Sequence, residues 1–228
     1  MRIRTLSFAL SPIAVMASAQ AQVMTVTSGD YYVIAQTQAV TDFHEEIYNG
    51  NSATSSFAKS AEQYSSFDDP IFGLHTAHAA ASLLWNTSTA GGVTTLSGGV
   101  GGVAEAWSNG LDTYATGAAA VSIYFTVNTE SHAVLESQGT YNTDVFVLDN
   151  GNWVGFETGF NGVIERDMEV GFYKLNASAG ESVSGSNYYS SGIQFSAALQ
   201  AVPEPGTLVA VGLGMTALLI KRRSCGKA

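Results

Sequence analysis

Cysteine, proline and basic residues are all scarce in this chain of 228 residues. The single cysteine, Cys225, excludes a disulfide within the chain and a metal site built from several thiolates. The chain has four prolines against 24 glycines, which favours strands and turns over long helices. Nine basic residues against 19 acidic ones argue against a nucleic acid partner, because phosphate binding needs clustered lysine and arginine.

The charges that are present divide the chain into an acidic body and two basic ends. Residues 23–202 hold 18 of the 19 carboxylates and only three basic side chains, whereas both ends carry a net positive charge. A hydrophobic fraction of 46% is enough for a packed core, and the length fits one domain of ordinary size or two small ones. The body is therefore expected to be compact, and its negative charge is expected to keep it in solution.

The N-terminus has the three parts of a secretory signal peptide. Two arginines precede a mostly apolar stretch over residues 6–16, and the small residues Ala19 and Ala21 follow it. The apolar stretch is too short for a stable anchor, and small residues at alternate positions fit the cleft of signal peptidase. We predict a signal peptide over residues 1–21, which the Sec translocon exports and signal peptidase cuts after Ala19 or Ala21.

A second membrane signal lies near the C-terminus, where two prolines flank a carboxylate and an uncharged apolar run leads to a basic stretch. These parts are Pro203, Glu204 and Pro205, the run 207–220, and Lys221, Arg222 and Arg223. The prolines exclude a helix or a central strand, so the tripeptide is expected to be extended and exposed. A helix over 206–220 would be ~22 Å long against ~30 Å of hydrocarbon, which suits a temporary stop with a cytoplasmic basic end.

The order of these C-terminal parts resembles the PEP-CTERM sorting signal, over about the last 22 residues. The resemblance implies that the chain is a substrate of exosortase, a multi-spanning transpeptidase-like enzyme of the inner membrane in Gram-negative bacteria that make extracellular polysaccharide. It also implies that residues 202–223 are a sorting signal with a transient transmembrane helix. The remaining body would then pass to the cell surface.

The body between the two signals, residues 22–201, is predicted to be an exported β-rich domain. Segments with an apolar–polar period of two lie at 121–127, 172–177 and 193–201. Residues 132–137 read as a strand returning after a turn, and Asn150-Gly151 between two apolar runs predicts a hairpin. Short strands with regular turns predict an all-β fold, an antiparallel β-sandwich of jelly-roll or Ig-like type.

The first half of the body allows more than one assignment of secondary structure. Residues 23–27 and 31–38 read as two strands. Residues 70–85 fit either an N-capped helix or a strand in which every second residue from His75 to Trp85 shares one face. We favour the strand, because the surrounding threonine, serine and glycine are poor helix formers. Glycine pairs, which predict tight turns or a flexible loop, occur at 91–92, 98–99 and 101–102.

Candidate ligand clusters are present but weak. His75 and His78 would share one face of a helix and could hold a metal there, but on a strand they point to opposite faces. The acidic clusters are Asp42, His44, Glu45 and Glu46, and Glu165, Asp167 and Glu169, and the second cluster is expected to lie on one face of a strand. Such clusters could attract Ca²⁺, serve glycoside hydrolysis as a carboxylate pair, or form a solvated face. We favour the solvated face, and predict no metal, no cofactor and no catalytic residue.

Four aromatic residues could stack on sugars or belong to the core and its rim, and we favour the second alternative. They are Trp107, Trp153, Tyr188 and Tyr189. The prediction is a non-enzymatic exported protein, held at the inner membrane and then released to the surface or the extracellular matrix, with exopolysaccharide as a candidate partner. The alternatives are a secreted carbohydrate-active hydrolase and a Ca²⁺-dependent adhesion module.

Overall fold

The computed structural model describes residues 22–109 and 111–202, and within them the fold is all-β. The strands are β1 (Met24–Ala39), β2 (Asp42–Ser52), β3 (Ser56–Asp69), β4 (Gly73–Ala90), β5 (Val93–Trp107), β6 (Thr113–Val127), β7 (Ser131–Gly139), β8 (Thr143–Asp149), β9 (Asn152–Phe160), β10 (Gly162–Met168), β11 (Gly171–Ser184) and β12 (Asn187–Ala201). They form two six-stranded antiparallel sheets, sheet A in the order β2-β1-β6-β11-β8-β9 and sheet B in the order β10-β7-β12-β5-β4-β3. The predicted all-β antiparallel fold is confirmed, and the choice between jelly-roll and Ig-like topology stays a prediction.

The two sheets pack face to face through one side of each strand. In β6, every second residue from Thr113 to Val127 is buried, and the residues between them are half-buried on the outer face. In β4, every second residue from His75 to Trp85 is buried, so the strand reading of this segment is confirmed. Trp85 is fully buried and stacks on Phe57 at 4.7 Å between ring centroids. The period of two that predicts the strands is thus the pattern that builds the core.

The glycines of β5 lie inside a strand, so the turns predicted at 98–99 and 101–102 are wrong. β5 pairs with both β4 and β12 through these positions. Gly102 faces across the sandwich, and a Cβ placed on it would lie 2.1 Å from the carbonyl oxygen of Gly117 in β6. The sheets approach each other too closely here for any side chain. The pair 91–92 does form the β4–β5 turn, with φ of 59° and 83°.

Two other expectations about the strands change in the structure. The segments 23–27 and 31–38 belong to one strand, β1, whose register shifts between Val26 and Ser28, as at a β-bulge. β7 was expected to return beside the preceding strand, but it crosses to sheet B and pairs with β10 and β12. The local sequence pattern predicted strands at the positions of β1 and β7, but it carried no information on which sheet each strand joins.

The loops gather at two ends of the sandwich. One end holds the start of β1 and the predicted β8–β9 hairpin, which is confirmed with Asn150 and Gly151 at φ of 48° and 80°. The chain leaves β12 at this same end, where the Val202 N–H donates to the Glu130 carbonyl at 2.9 Å. The predicted signal peptide and the segment 203–223 lie outside the described residues. None of the residues that are described forms a helix able to cross a membrane.

Candidate functional site

Two carboxylates of the acidic cluster on β2 accept hydrogen bonds from the backbone of β3, the neighbouring edge strand. Asp42 accepts a hydrogen bond from the backbone N–H of Ser66 at 2.8 Å, and Glu46 accepts one from the N–H of Glu62 at 3.1 Å. The Tyr48 hydroxyl also donates to Glu46, and these two hydrogen bonds lower the pKa of the Glu46 carboxyl. The carboxylates therefore cover N–H groups on an edge strand, which would otherwise be a template for another chain.

The second acidic cluster surrounds an exposed histidine. His132 of β7 lies between two carboxylates of the edge strand β10, with Nδ1 2.9 Å from Asp167 and Nε2 3.7 Å from Glu165. Glu169 lies beyond the end of β10, so the three carboxylates do not share one strand face as predicted. All of these side chains are open to solvent, and the cluster is a surface feature.

The two candidate histidines point to opposite faces of β4. His75 is buried in the sandwich, with Nδ1 3.2 Å from the Ser108 hydroxyl. That hydroxyl donates to the Leu111 carbonyl, so it accepts from the Nδ1–H of His75. His78 lies on the outer face, with Nε2 3.0 Å from Glu62. Residues 22–109 and 111–202 contain no group of three or more His, Cys, Asp or Glu side chains placed to hold a metal ion.

The structure brings three of the four candidate aromatic residues to neighbouring strands. Trp107 at the end of β5 is 59% exposed, and Tyr188 and Tyr189 at the start of β12 are 58% and 51% exposed. These strands pair with each other in sheet B, at the end opposite the exit of the chain. Trp153 instead lies on sheet A, 5.7 Å from the Tyr124 ring and beside Lys174. Trp107, Tyr188 and Tyr189 therefore lie outside the core, and their position at its rim stays a prediction.

A row of four neighbouring side chains, with a tyrosine at each end, crosses the outer face of sheet B. Tyr188 pairs with Glu105, Glu105 pairs with His78, and His78 pairs with Tyr64, so the four side chains stand next to one another on adjacent strands. Three strand spacings separate Tyr188 from Tyr64, which is about 14 Å. We call Tyr188, Glu105, His78 and Tyr64 the aromatic row. It places an aromatic ring at each end and two polar groups in the middle.

A trough with a glycine floor crosses the outer face of sheet B. Three adjoining cavities of about 360, 500 and 250 Å³ extend from β7 to β3 across the outer face of sheet B. Their floor is formed by Gly99 and Gly101 of β5 and Gly192 of β12, and Gln138 and Gln194 line one side. We call this feature the glycine trough. Four strand spacings give it a length of about 19 Å.

The glycine trough was not predicted from the sequence. Its floor combines residues of two strands, and their adjacency is a property of the sheet and not of the sequence. The signal that was present is the alternation Gly99–Gly101 within a strand pattern, which leaves the outer face of β5 without side chains at these two positions. Because glycine pairs are typical of turns, the sequence predicted turns here and not an open strand face.

The C-terminal segment matches a model of a known protein family. Residues 201–223 match the family model described as the PEP-CTERM protein-sorting motif. No curated protein and no solved structure matches the chain significantly. The matched span includes the Pro203-Glu204-Pro205 tripeptide, the apolar run 207–220 and the basic end through Arg223. The chain is thus identified, as the sequence predicted, as a protein that carries a PEP-CTERM sorting motif.

Proposed function

We propose that this chain is an exported, non-enzymatic protein of the cell surface or extracellular matrix that an exosortase cuts near its C-terminus. The observation that carries the proposal is the sorting-motif match at residues 201–223, which implies export and an exosortase as the processing partner. The predicted signal peptide supplies the entry to this route through the Sec translocon. The apolar run 207–220 then holds the chain at the inner membrane as an intermediate.

The C-terminal end of the folded body supports cleavage close to the Pro203-Glu204-Pro205 tripeptide. β12 ends at Ala201, and the hydrogen bond from Val202 to Glu130 ties the chain to the sandwich up to the residue before Pro203. Residues 203–206 then lie between a folded body and the membrane run, and they span at most about 14 Å. An enzyme embedded in the membrane would therefore meet a short segment that two prolines stiffen.

The arrangement of the carboxylates supports a non-enzymatic role. Glycoside hydrolysis needs two carboxyl groups on either side of a bound sugar bond. Asp42 and Glu46 accept hydrogen bonds from the backbone of β3, and Glu165 and Asp167 flank His132 on an exposed edge strand. Each pair thus has a structural or surface role that needs no substrate.

The exposed aromatic row supports association of the body with extracellular polysaccharide at its destination.

Mass spectrometry of the mature chain tests the processing step. The chain is expressed in a Gram-negative host with an exosortase and in the same host without it, and cells are separated into membrane and extracellular fractions. We expect an extracellular product that lacks residues 207–223 in the first host. In the second host we expect the tail to be retained and the chain to stay with the membranes.

The tripeptide offers a matched variant pair for this test. Replacing both prolines, Pro203→Ala with Pro205→Ala, should leave the uncut chain in the membrane fraction, because the stiff extended segment is lost. Thr207→Ser, a conservative change just after the tripeptide, should be cut normally. A mature extracellular chain that still carries residues 208–223 would contradict the proposed processing.

A further inference from the structure

Four buried polar atoms lie inside the sandwich, at the end opposite the exit of the chain, without a hydrogen-bond partner among the residues that the structure describes. They are Thr37 Oγ1, Ser65 Oγ, His75 Nε2 and Thr113 Oγ1. Their side chains are between 0% and 3% exposed, so bulk solvent does not reach them. We propose that these atoms bind a small cluster of ordered water molecules between the two sheets, which we call the His75 water site.

Strand pairing brings the four side chains to one end of the core. Thr37 and Thr113 are diagonal neighbours across the β1–β6 pair of sheet A, and Ser65 and His75 are diagonal neighbours across the β3–β4 pair of sheet B. Diagonal neighbours on one face of a sheet lie about 7–8 Å apart. Across the sandwich, β1 packs on β3 and β4, and β4 packs on β6. Both pairs of polar groups therefore face the same inner region.

The Ser108 hydroxyl ties the two sheets together beside this site. It accepts a hydrogen bond from His75 Nδ1–H at 3.2 Å and donates to the Leu111 carbonyl, two residues before Thr113. Because Nδ1 carries the hydrogen, Nε2 of the neutral imidazole is an acceptor that needs a donor. The histidine ring is thus held with its free nitrogen as the one atom that Ser108 leaves unsatisfied.

Water has the chemistry that these atoms require. A buried polar atom without a hydrogen bond costs free energy, and nearly all such atoms in proteins have a protein or water partner. One water molecule can donate to His75 Nε2 and accept from a threonine hydroxyl at the same time. With hydrogen bonds of about 2.8 Å, it joins atoms at most about 5.6 Å apart. The spacing of the four side chains therefore requires more than one water molecule.

The surroundings favour water over an ion. All buried polar side chains of residues 22–109 and 111–202 other than His75 are hydroxyls, so no buried charge balances an ion. The inner-facing neighbours of the four side chains are alanines: Ala35, Ala39, Ala77, Ala106 and Ala115. Sheets stack about 10 Å apart, and side chains this short leave space between them for water-sized molecules.

The direction of a stability change tests the proposal, because valine has nearly the shape of threonine without the hydroxyl. If the Thr37 and Thr113 hydroxyls had no partner, Thr37→Val and Thr113→Val would remove a buried unpaired group and raise the urea midpoint. If they bind water, both changes remove a partner, and we expect both to lower the midpoint. Thr143→Val is the reference, because the Thr143 hydroxyl is buried and bonded to Ser137, and it should lower the midpoint as well.

A second measurement on the full chain, purified in detergent, observes the water directly. We expect nuclear Overhauser effects between long-lived water and the His75 ring protons, which should weaken at least twofold when Thr37→Val and Thr113→Val are combined. Higher urea midpoints for both valine variants, or the absence of these effects in the wild type, would show dry packing and overturn the proposal. A wild-type midpoint that rises with sodium chloride but not with choline chloride of equal ionic strength would show a bound cation, and would overturn it too.

Discussion

Two consecutive glycines of β5 should respond in opposite ways to the same substitution. Gly102 faces inward, where a Cβ would meet the Gly117 carbonyl oxygen at 2.1 Å and its carbonyl carbon at 2.8 Å. Gly101 faces outward, where the nearest atom would be 3.4 Å away. Changing each to alanine therefore adds one methyl group to neighbouring positions of one strand, on opposite sides of the sheet.

The expected sizes follow from these contacts. The methyl group of Gly102→Ala meets backbone of the opposite sheet, so the sheets must separate locally by about 1 Å. Overpacking of a well-packed core costs about 1–3 kcal/mol, and because no flexible side chain can move aside we expect about 3 kcal/mol. For a domain of this size that lowers Tm by roughly 6–12 °C. Gly101→Ala should raise Tm by roughly 1–3 °C, since alanine loses less conformational freedom on folding.

Thermal unfolding of the full chain, followed by circular dichroism, compares the two variants directly. The wild type and Thr95→Val serve as references for a strand change that meets no backbone. Equal shifts for Gly101→Ala and Gly102→Ala, or an unchanged Tm for Gly102→Ala, would show that the sheets do not approach each other at β5 and β6 as described.

Three further perturbations test other parts of the fold. Glu46→Gln should lower the free energy of unfolding at neutral pH, and the difference from the wild type should disappear in acid. The pKa of the Glu46 carboxyl is lowered in the folded state. Its stabilising contribution is therefore present above the unfolded-state pKa and is lost as the pH falls through the folded-state pKa. Urea midpoints at pH 7 and pH 3 measure this, and a constant difference would contradict it. Trp85→Ala removes a fully buried ring that stacks on Phe57 and should cost about 3–5 kcal/mol by urea titration, whereas a loss under about 1 kcal/mol would place Trp85 outside the core. Asn150→Ala should cost about 1 kcal/mol because φ is 48°, and Asn150→Gly should be close to neutral, so similar unfolding midpoints for the two would reject the left-handed turn.

The inner faces of the long strands could be read from the sequence, because a half-buried strand imposes a period of two. Val121 to Val127, His75 to Trp85 and Ile193 to Leu199 all follow this period, and all lie with their alternate apolar side chains in the core. Such a pattern needs no knowledge of the neighbouring strand. The hairpin at Asn150-Gly151 was equally readable, because both residues tolerate positive φ.

Properties that depend on two strands at once could not be read in this way. Gly102 is required by Gly117, fifteen positions away on the opposite sheet, and the floor of the trough joins Gly101 to Gly192 through strand pairing. A glycine pair in isolation resembles a turn, which is why these positions were misread. The hydrogen bond from the Ser66 N–H to Asp42 also joins two strands, and no spacing in the sequence predicts it.

The position of β12 gives the sorting motif a further consequence for folding. β12 lies between β7 and β5, so sheet B stays divided until residues 187–201 are in place. Under the proposed export route these residues cross the membrane last, directly before the motif, and folding through such distant pairings is slow. A cut made before β12 has docked would release a chain with two open strand edges, which are templates for aggregation. A membrane run that holds the chain until the last strand has paired would protect it, and the hydrogen bond from Val202 to Glu130 is the contact that forms when that strand is complete. In pulse-chase export experiments, Val202→Pro, which removes the N–H that donates this bond, should therefore increase aggregated extracellular product without slowing cleavage. An unchanged soluble fraction would show that docking of β12 and processing are independent.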